Sequence, residues 1–423
     1  MTGDTSMDVQ LAVIGAGPAG LAAAIEARKN GIEDIVILER ESEAGGILKQ
    51  CIHTGFGLHL FGEELTGPEY AQRFIDECEK LAIPVKTDTM VLSLSRDKTL
   101  TAVNSAEGVF EVRAGSVILA TGCRERPRGA LLIPGDRPAG IFTAGTAQKY
   151  VNIDGMLPGR EIVILGSGDI GLIMARRLTL EGAHVQAVLE LREYSAGLQR
   201  NIVQCLEDFG IPLKLCHTVT GIHGKERLTG VTAARVGPDS RPIPGTEEYI
   251  PCDTLLLSVG LIPENELAKG AAIELNPVTQ SPFVDERLES AVPGIFACGN
   301  ALQVHDLADN VTMESERAGR NAAAYILGRA ASPELDIRVK TGEGIRYIVP
   351  GTVRSAGEDV TFSFRTDNVY RNAVIKAVSG GEAVYQKKKA AMTPGEMEHV
   401  TLKKELFKNL SGTLEFYLEK EKP

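Results

Sequence analysis

Gly15-Ala16-Gly17-Pro18-Ala19-Gly20 stands between a run rich in β-formers, Val9 to Ile14, and small or apolar residues at helical spacing, Leu21 to Ala27. Gly31 stops the helix, and Ile35-Val36-Ile37-Leu38 reads as a second buried strand ending at Glu39. Strand, glycine turn, helix and strand make a βαβ unit with a phosphate-binding turn. Gly15 allows the tight turn, Gly17 a close approach to the backbone, and Gly20 the packing of helix on strand. The helix N-terminus presents free N–H groups and a partial positive charge, which suits a pyrophosphate. Glu39 is placed to accept hydrogen bonds from a ribose diol.

The pattern recurs. Glu161 to Leu165 is a strand, Gly166-Ser167-Gly168-Asp169-Ile170-Gly171 the turn, Leu172 to Leu180 helical, and Val185 to Leu189 a strand closing on Glu190. Gly15 to Glu39 and Gly166 to Glu190 both span 24 positions. Two units at one spacing imply two dinucleotide sites.

Between the units, residues 40–57 are glycine-rich and chemically mixed, a loop that wraps a ligand. A helix is expected over Gly67 to Leu81, and strands over Val85 to Leu94 and Val109 to Val112. Ser116 to Gly122 reads as a buried strand closing on Ala120-Thr121-Gly122, where the backbone passes close to a cofactor. After the second unit, a helix is expected from Arg200 to Phe209. Strands follow near Leu213, Thr218–Ile222, Val231–Val236 and Thr254–Ser258. Val259-Gly260 closes the second unit as Ala120-Thr121-Gly122 closes the first. Pro293 to Asn300 is a short strand and glycine, followed by a helix over Ala318 to Leu327.

The tail from about Arg338 alternates apolar and polar residues, as in Val360/Phe362/Phe364 and Leu414/Phe416/Leu418. Ser379-Gly380-Gly381-Glu382 reads as a hairpin turn, and about six strands suggest a small β-sandwich. Lys387-Lys388-Lys389 reads as a solvated turn. With no nucleotide motif, the tail is expected to be a separable docking module, so that a chain ending near Ala331 keeps its cofactor.

The chain has 423 residues and a net charge of −11, which argues against nucleic acid or an anionic membrane as partner. Seven scattered cysteines with no CxxC pair suit reduced thiols, and the polar first residues suit a protein that stays in the cytoplasm. No stretch approaches the ~18–20 apolar residues of a spanning helix.

In order and spacing these motifs resemble the two-dinucleotide-domain flavoproteins of the glutathione reductase type. Gly294-Ile295-Phe296-Ala297 before Gly299 supplies the strand that returns to the flavin in that family. The resemblance implies an α/β fold of two Rossmann-like domains, each of three-layer ββα type, with the β-sandwich appended. It covers about residues 8–330 and implies an FAD-binding domain at 8–150, an NAD(P)-binding domain at 151–272 and the rest of the FAD domain at 273–330, while the tail's own pattern gives the β-rich domain at 338–423. The implied FAD contacts are Gly15, Gly17, Pro18, Ala19, Gly20, Glu39, Arg40, Gly46, Ile47, His53, Val91, Ala120, Thr121, Gly122, Gly299 and Asn300. The implied NAD contacts are Gly166, Gly168, Asp169, Ile170, Gly171, Glu190 and Gly260, with NADP less favoured because Glu190 would repel a 2′-phosphate.

Gly45-Gly46-Ile47-Leu48-Lys49-Gln50-Cys51-Ile52-His53, with Cys298-Gly299-Asn300 and Val304-His305-Asp306-Leu307, is similar to a narrower group. These are FAD/NAD-binding subunits found beside glycerol-3-phosphate, sarcosine, opine and hydroxyproline dehydrogenase subunits. The group implies hydride transfer between NAD(H) and FAD, with electrons passed to or from a partner dehydrogenase subunit. The alternative is a structural subunit that binds nucleotides without turnover. Two departures stand out. Disulfide reductases carry a cysteine pair after the Gly-Gly, whereas here Cys51 stands alone. The residue after the last glycine is usually Asp, and here it is Asn300, which hydrogen-bonds without adding charge.

Overall fold

The computed structural model describes residues 6–330, 334–355 and 357–420. Chain contacts group it into two compact units, Met1–Cys123 with Pro263–Pro423, and Arg124–Ile262. Ala331, near which the tail is expected to be separable, lies outside the described residues, as do Met1 to Thr5.

The first unit is built on one long strand, Gly108–Leu119. One side of it pairs in parallel with Ser6–Ile14, which leads on to Ile35–Leu38 and Val85–Lys86. On the other side its first half takes the antiparallel strand Thr99–Asn104, and its second half takes Ile295–Ala297 in parallel. The sequence suggests two strands here, Val109–Val112 and Ser116–Gly122. The chain instead runs straight through Gly115, where an added Cβ would meet Gln10 O at 2.9 Å. The strand stops at Leu119, so Ala120-Thr121-Gly122 leaves the sheet as a turn. Leu11 to Ile14 are buried without alternation, as in a parallel sheet covered on both faces.

Helix Pro18–Lys29 packs on helix Ala308–Ile326, and Gly319 lets them approach: a Cβ there would lie 2.1 Å from Ala23 O. The second helix starts at Ala308 and not at Ala318. Its first turns bury polar residues that each have a partner. Asp309 accepts from Gly57 N and His59 N, and Thr312 meets the Tyr70 hydroxyl at 2.7 Å. Helix Gly67–Lys80 opens with a reciprocal cap between Thr66 and Glu69.

The tail is a sandwich of two sheets. One runs in the order Thr352–Val353, Ile337–Thr341, Gly412–Lys420, Tyr370–Ser379, Glu382–Met392, and the other Ile345–Val349, Val360–Thr366, Glu398–Leu402. Phe362 and Phe416 stack across the two sheets with ring centroids 4.9 Å apart. The hairpin at Gly380-Gly381 is present, both glycines at positive φ as a two-residue turn requires. Lys387-Lys388-Lys389 is not a turn. It lies in the middle of the outermost strand, Glu382–Met392, whose exposed faces need no apolar alternation.

The sandwich is also not a detached module. Tyr347 and Val349 are buried in the same hydrophobic core as Leu11, Leu119 and Phe296. Gly351 N donates to Val284 O at 3.0 Å, and Glu286 accepts from the amides of Arg354 and Ser355.

The second unit has a parallel sheet in the order Ile141–Thr143, Thr254–Leu257, Glu161–Leu165, His184–Glu190, Leu213–Leu215. A separate antiparallel sheet joins His217–His223, Gly230–Arg235 and Glu248–Pro251. The unit begins at Arg124 and not near 151, because Ile141–Thr143 is an edge strand of its sheet. Among the described residues, no helix is long and apolar enough to cross a membrane.

Candidate nucleotide-binding sites

Four distant segments of the first unit converge on the turn between Ile14 and Pro18. Gly15, at φ +104°, sits against Ala120, whose carbonyl would be 2.5 Å from an added Cβ. Gly20 presses on Gly15 O, with a Cβ clash at 1.8 Å. Gly46 abuts Gly17 Cα at 2.9 Å, and Gly299 abuts Ala19 Cβ at 2.7 Å, measured from added Cβ atoms. These glycines are explained by the protein's own packing.

Gly17 is different. Its φ of −73° suits any residue, and a Cβ there would meet nothing closer than Gly46 Cα at 4.0 Å. The chain itself does not demand glycine at this position. Gly17 is also the N-cap of helix Pro18–Lys29, and no side chain caps the helix. The missing Cβ therefore leaves open the approach to a set of unpaired helix N–H groups, which fits an anion such as a pyrophosphate.

Glu39 is 6 % exposed and, among the described residues, has no cationic partner. Its Oε2 accepts from Ala16 N at 2.6 Å and its Oε1 from Glu41 N at 2.9 Å. A carboxylate oxygen has a second lone pair, so each still has an acceptor site for a ribose hydroxyl. Arg40 is exposed and lies 3.8 Å from Glu41, while Ile47 is 59 % exposed beside the loop. Val91 is buried in Met90–Leu94, the edge strand of the same sheet, and packs into the core. Thr121 Oγ1 donates to Glu264 O at 2.7 Å, and Gly122, at φ +70°, has open space around it.

The 45–57 loop is anchored by Gly67 N donating to Cys51 O at 2.9 Å. Cys51 as a residue is half-buried, but its thiol points inward and donates to Ile47 O at 3.3 Å. Burial pushes that thiol up to about 12. The thiol is thus protonated at neutral pH and a poor nucleophile. His53 Nδ1 lies 3.1 Å from Thr54 O, and its ring is 5.2 Å from Phe56.

At the far end, Asn300 is held on both sides. Its Oδ1 accepts from His305 N at 3.1 Å, and its Nδ2 faces Cys123 Sγ at 3.6 Å. Behind it lies Glu314, fully inside. Glu314 accepts from Gly299 N at 2.8 Å and Gln303 Nε2 at 2.6 Å, with His305 Nε2 at 3.1 Å. Burial alone would raise the Glu314 carboxyl, but His305 beside it, with Arg317 and Gln303, outweighs burial and holds it below its ordinary value. Sequence reading misses Glu314 because a lone glutamate in a polar helix resembles a surface residue.

The second unit repeats the first with one addition. Glu190, 6 % exposed, accepts from Ser167 N at 3.0 Å and Arg192 N at 3.0 Å. It also accepts from the Ser167 hydroxyl at 2.6 Å. Gly166 packs on Ser258 O, and Gly171 on Gly166 O and the Ser258 side chain. Gly168 again is the N-cap of a helix, Asp169–Leu180, without a side-chain cap. Ile170 lies in its first turn, and Gly260 has open space around it. Asp169 turns away from the turn: its Oδ1 accepts from Leu198 N and Asn201 Nδ2. Arg192 hydrogen-bonds Tyr194, Arg177 binds Asn152 and Glu181, and Arg176 stacks on Phe209. Among the described residues, no cluster of His, Cys, Asp or Glu could hold a metal ion.

Residues 9–320 match the model of the pyridine nucleotide-disulphide oxidoreductase family. An opine oxidase subunit of Agrobacterium tumefaciens (strain Ach5) is 26 % identical over 77 % of this chain and 66 % of its own length. The hydrogen cyanide synthase subunit HcnB of Pseudomonas protegens is 26 % identical over 77 % of this chain and 70 % of its own. The chain thus spans just under two thirds of that opine oxidase subunit, and 57 % of its Rhizobium meliloti counterpart. Among solved structures, thioredoxin reductase of T. acidophilum superposes with a TM-score of 0.61 at 23 % identity, over 76 % of this chain and 98 % of that one, which speaks for the fold. With two braced glycine turns, each between parallel strands, and a match across most of its length, the chain belongs to the pyridine nucleotide-disulphide oxidoreductase family, whose members use FAD and NAD(P)H.

Proposed function

We propose that this protein is the FAD- and NAD-binding subunit of a multisubunit dehydrogenase or oxidase, moving electrons between NAD(H) and a partner subunit that handles the organic substrate. When bound, the two cofactors supply hydride transfer between nicotinamide and flavin. The chain's part is to bind, orient and exclude water. Gly15, Gly17, Gly20 and Glu39 hold FAD. Gly166, Gly168, Gly171 and Glu190 hold NAD.

The observation that carries the reading is Cys51. In a chain with a disulfide reductase's nucleotide framework, the one loop thiol has no second cysteine near it in sequence and is pushed up to about 12. No dithiol at that place receives the electrons, so they leave for an acceptor outside this chain. Two relatives that bear the name of enzyme subunits favour a partner polypeptide as that acceptor or donor. An amine, opine or glycerol-phosphate class of substrate would then be bound by the partner.

Anaerobic addition of NADH to the purified chain tests the reading. Bleaching of the flavin band near ~450 nm is expected without any thiol substrate. A flavin left unbleached by both NADH and NADPH would leave a nucleotide-binding subunit without turnover.

A further inference from the structure

The sandwich touches the flavin site's far end through one loop. Val304, His305 and Asp306 connect the Gly299–Ala301 turn to helix Ala308–Ile326. On its inner side this loop sets the cradle: His305 N fixes the Asn300 carbonyl, and the His305 ring stands against Glu314, which accepts from Gly299 N. The His305 side chain is 2 % exposed.

On its outer side the loop is gripped by the sandwich. Arg365, in strand Val360–Thr366, donates through Nη2 to Asp306 Oδ1 and to Val304 O, the latter at 2.9 Å. Its Nη1 donates to Gly395 O at 2.5 Å and Pro394 O at 3.2 Å, which ties the guanidinium to its own domain. Met397 N donates to Asp306 Oδ2 at 2.7 Å. Asp306 and Arg365 side chains are only 16 % and 13 % exposed, so the pair is shielded from solvent. A shielded guanidinium that reaches the loop through one nitrogen and its own domain through the other fixes geometry as well as adding strength.

We propose that Arg365 and Asp306 form a latch by which the C-terminal sandwich holds Asn300 and Gly299 in the conformation that binds the flavin end of FAD. Arg365 is a positioning residue. It reaches the cofactor through Asp306, His305 and Asn300, and it makes flavin binding depend on a domain that carries no nucleotide motif. The sandwich has other ties to the core, at Glu286 and at Gly351, which do not involve this loop. The latch is therefore separable from docking in general. The inference rests on the first unit being the FAD site.

The test uses the full chain, stripped of flavin and titrated with FAD by fluorescence, alongside Arg365→Met, Arg365→Lys, Asp306→Asn and Glu286→Ala. Arg365→Met and Asp306→Asn are expected to weaken FAD binding about tenfold or more and to shift the visible flavin spectrum. Arg365→Lys restores charge but not the second nitrogen that reaches Gly395 and Pro394, and part of the loss should return. Glu286→Ala loosens docking elsewhere and should stay within about twofold of wild type in FAD affinity while melting at a lower temperature. FAD affinity and spectrum unchanged in Asp306→Asn, or a loss in Glu286→Ala as large as in Arg365→Met, would overturn the latch. If the wild-type chain takes up no FAD, the site assignment itself fails.

Discussion

The amide of Ala16 donates to Glu39 Oε2 at 2.6 Å, tying the middle of the first glycine turn to the end of the next strand. Ser167 and Glu190 are tied in the same way in the second unit. The carboxylate thus braces the turn from behind while keeping further lone pairs for a donor on its other side.

Glu39→Ala should purify with much less flavin than wild type. It leaves a buried Ala16 N–H unpaired as well as removing the ribose acceptor, at roughly 1–3 kcal/mol for each unsatisfied group. Flavin content per chain after gel filtration measures this. Full occupancy would show that the ribose is held elsewhere.

Glu190→Gln should narrow the preference for NADH over NADPH. The wild-type preference is expected to be at least about tenfold in kcat/KM, which needs only ~1.4 kcal/mol. Arg192, Arg176 and Arg177 are all engaged within their unit, with Tyr194, Phe209 and Asn152. Equal efficiency with the two nucleotides in wild type would mean that Arg192 leaves Tyr194 and turns inward.

Cys51→Ser should reduce its flavin with NADH at a rate within about twofold of wild type. The thiol is protonated at working pH and hydrogen-bonded to Ile47 O. Stopped-flow reduction decides it. A loss of a hundredfold would make Cys51 part of the chemistry.

Glu314 links pH to stability. Its carboxyl is held below the ordinary value in the folded chain, so its contribution is present above the unfolded pKa of about 4.3 and is lost as pH falls through the lower folded value. Glu314→Gln removes the effect. Melting temperatures of the two proteins should differ most at pH 6–7 and converge as the pH falls to about 4 and below. A gap that widens on acidification would contradict the assignment.

A chain ending at Leu335 should lose flavin and melt lower, contrary to what the sequence suggests. It strips Tyr347 and Val349 from the first unit's core and removes Arg365 from Asp306. Flavin content and thermal denaturation of the truncated chain check both effects. A flavin-replete truncation would restore the separable docking module.

The glycine turns are legible because each is a local constraint: strand, turn, helix and terminal acid fall within one short span at fixed offsets. The start of helix Ala308–Ile326 is not, because Asp309, Thr312 and Glu314 are polar residues turned inward to partners outside their own helix. Hydrophobic periodicity cannot register a buried polar face. The link between Asp306 and Arg365 is hidden for a related reason. It joins a loop position and a strand position whose proximity is set by how the sandwich packs, and nothing in the stretch around Asp306 points to Arg365. Lys387 to Lys389 reads as a turn because an exposed outer strand need not alternate.

That outer strand has a consequence for the protein as a colloid. Among the described residues, Glu382–Met392 is a long row of backbone donors and acceptors with no neighbour in its sheet on one side, the kind of margin on which identical chains pile into fibres. Positive charge on Lys387 and Lys388 at its centre makes a second copy's like-charged edge a poor fit, while Lys389 pairs with Glu398 at 2.7 Å. Positive charge along that margin thus works against edge-to-edge association. Chemical acetylation of Lys387 and Lys388 is expected to raise self-association, read by light scattering, with neither glycine turn altered.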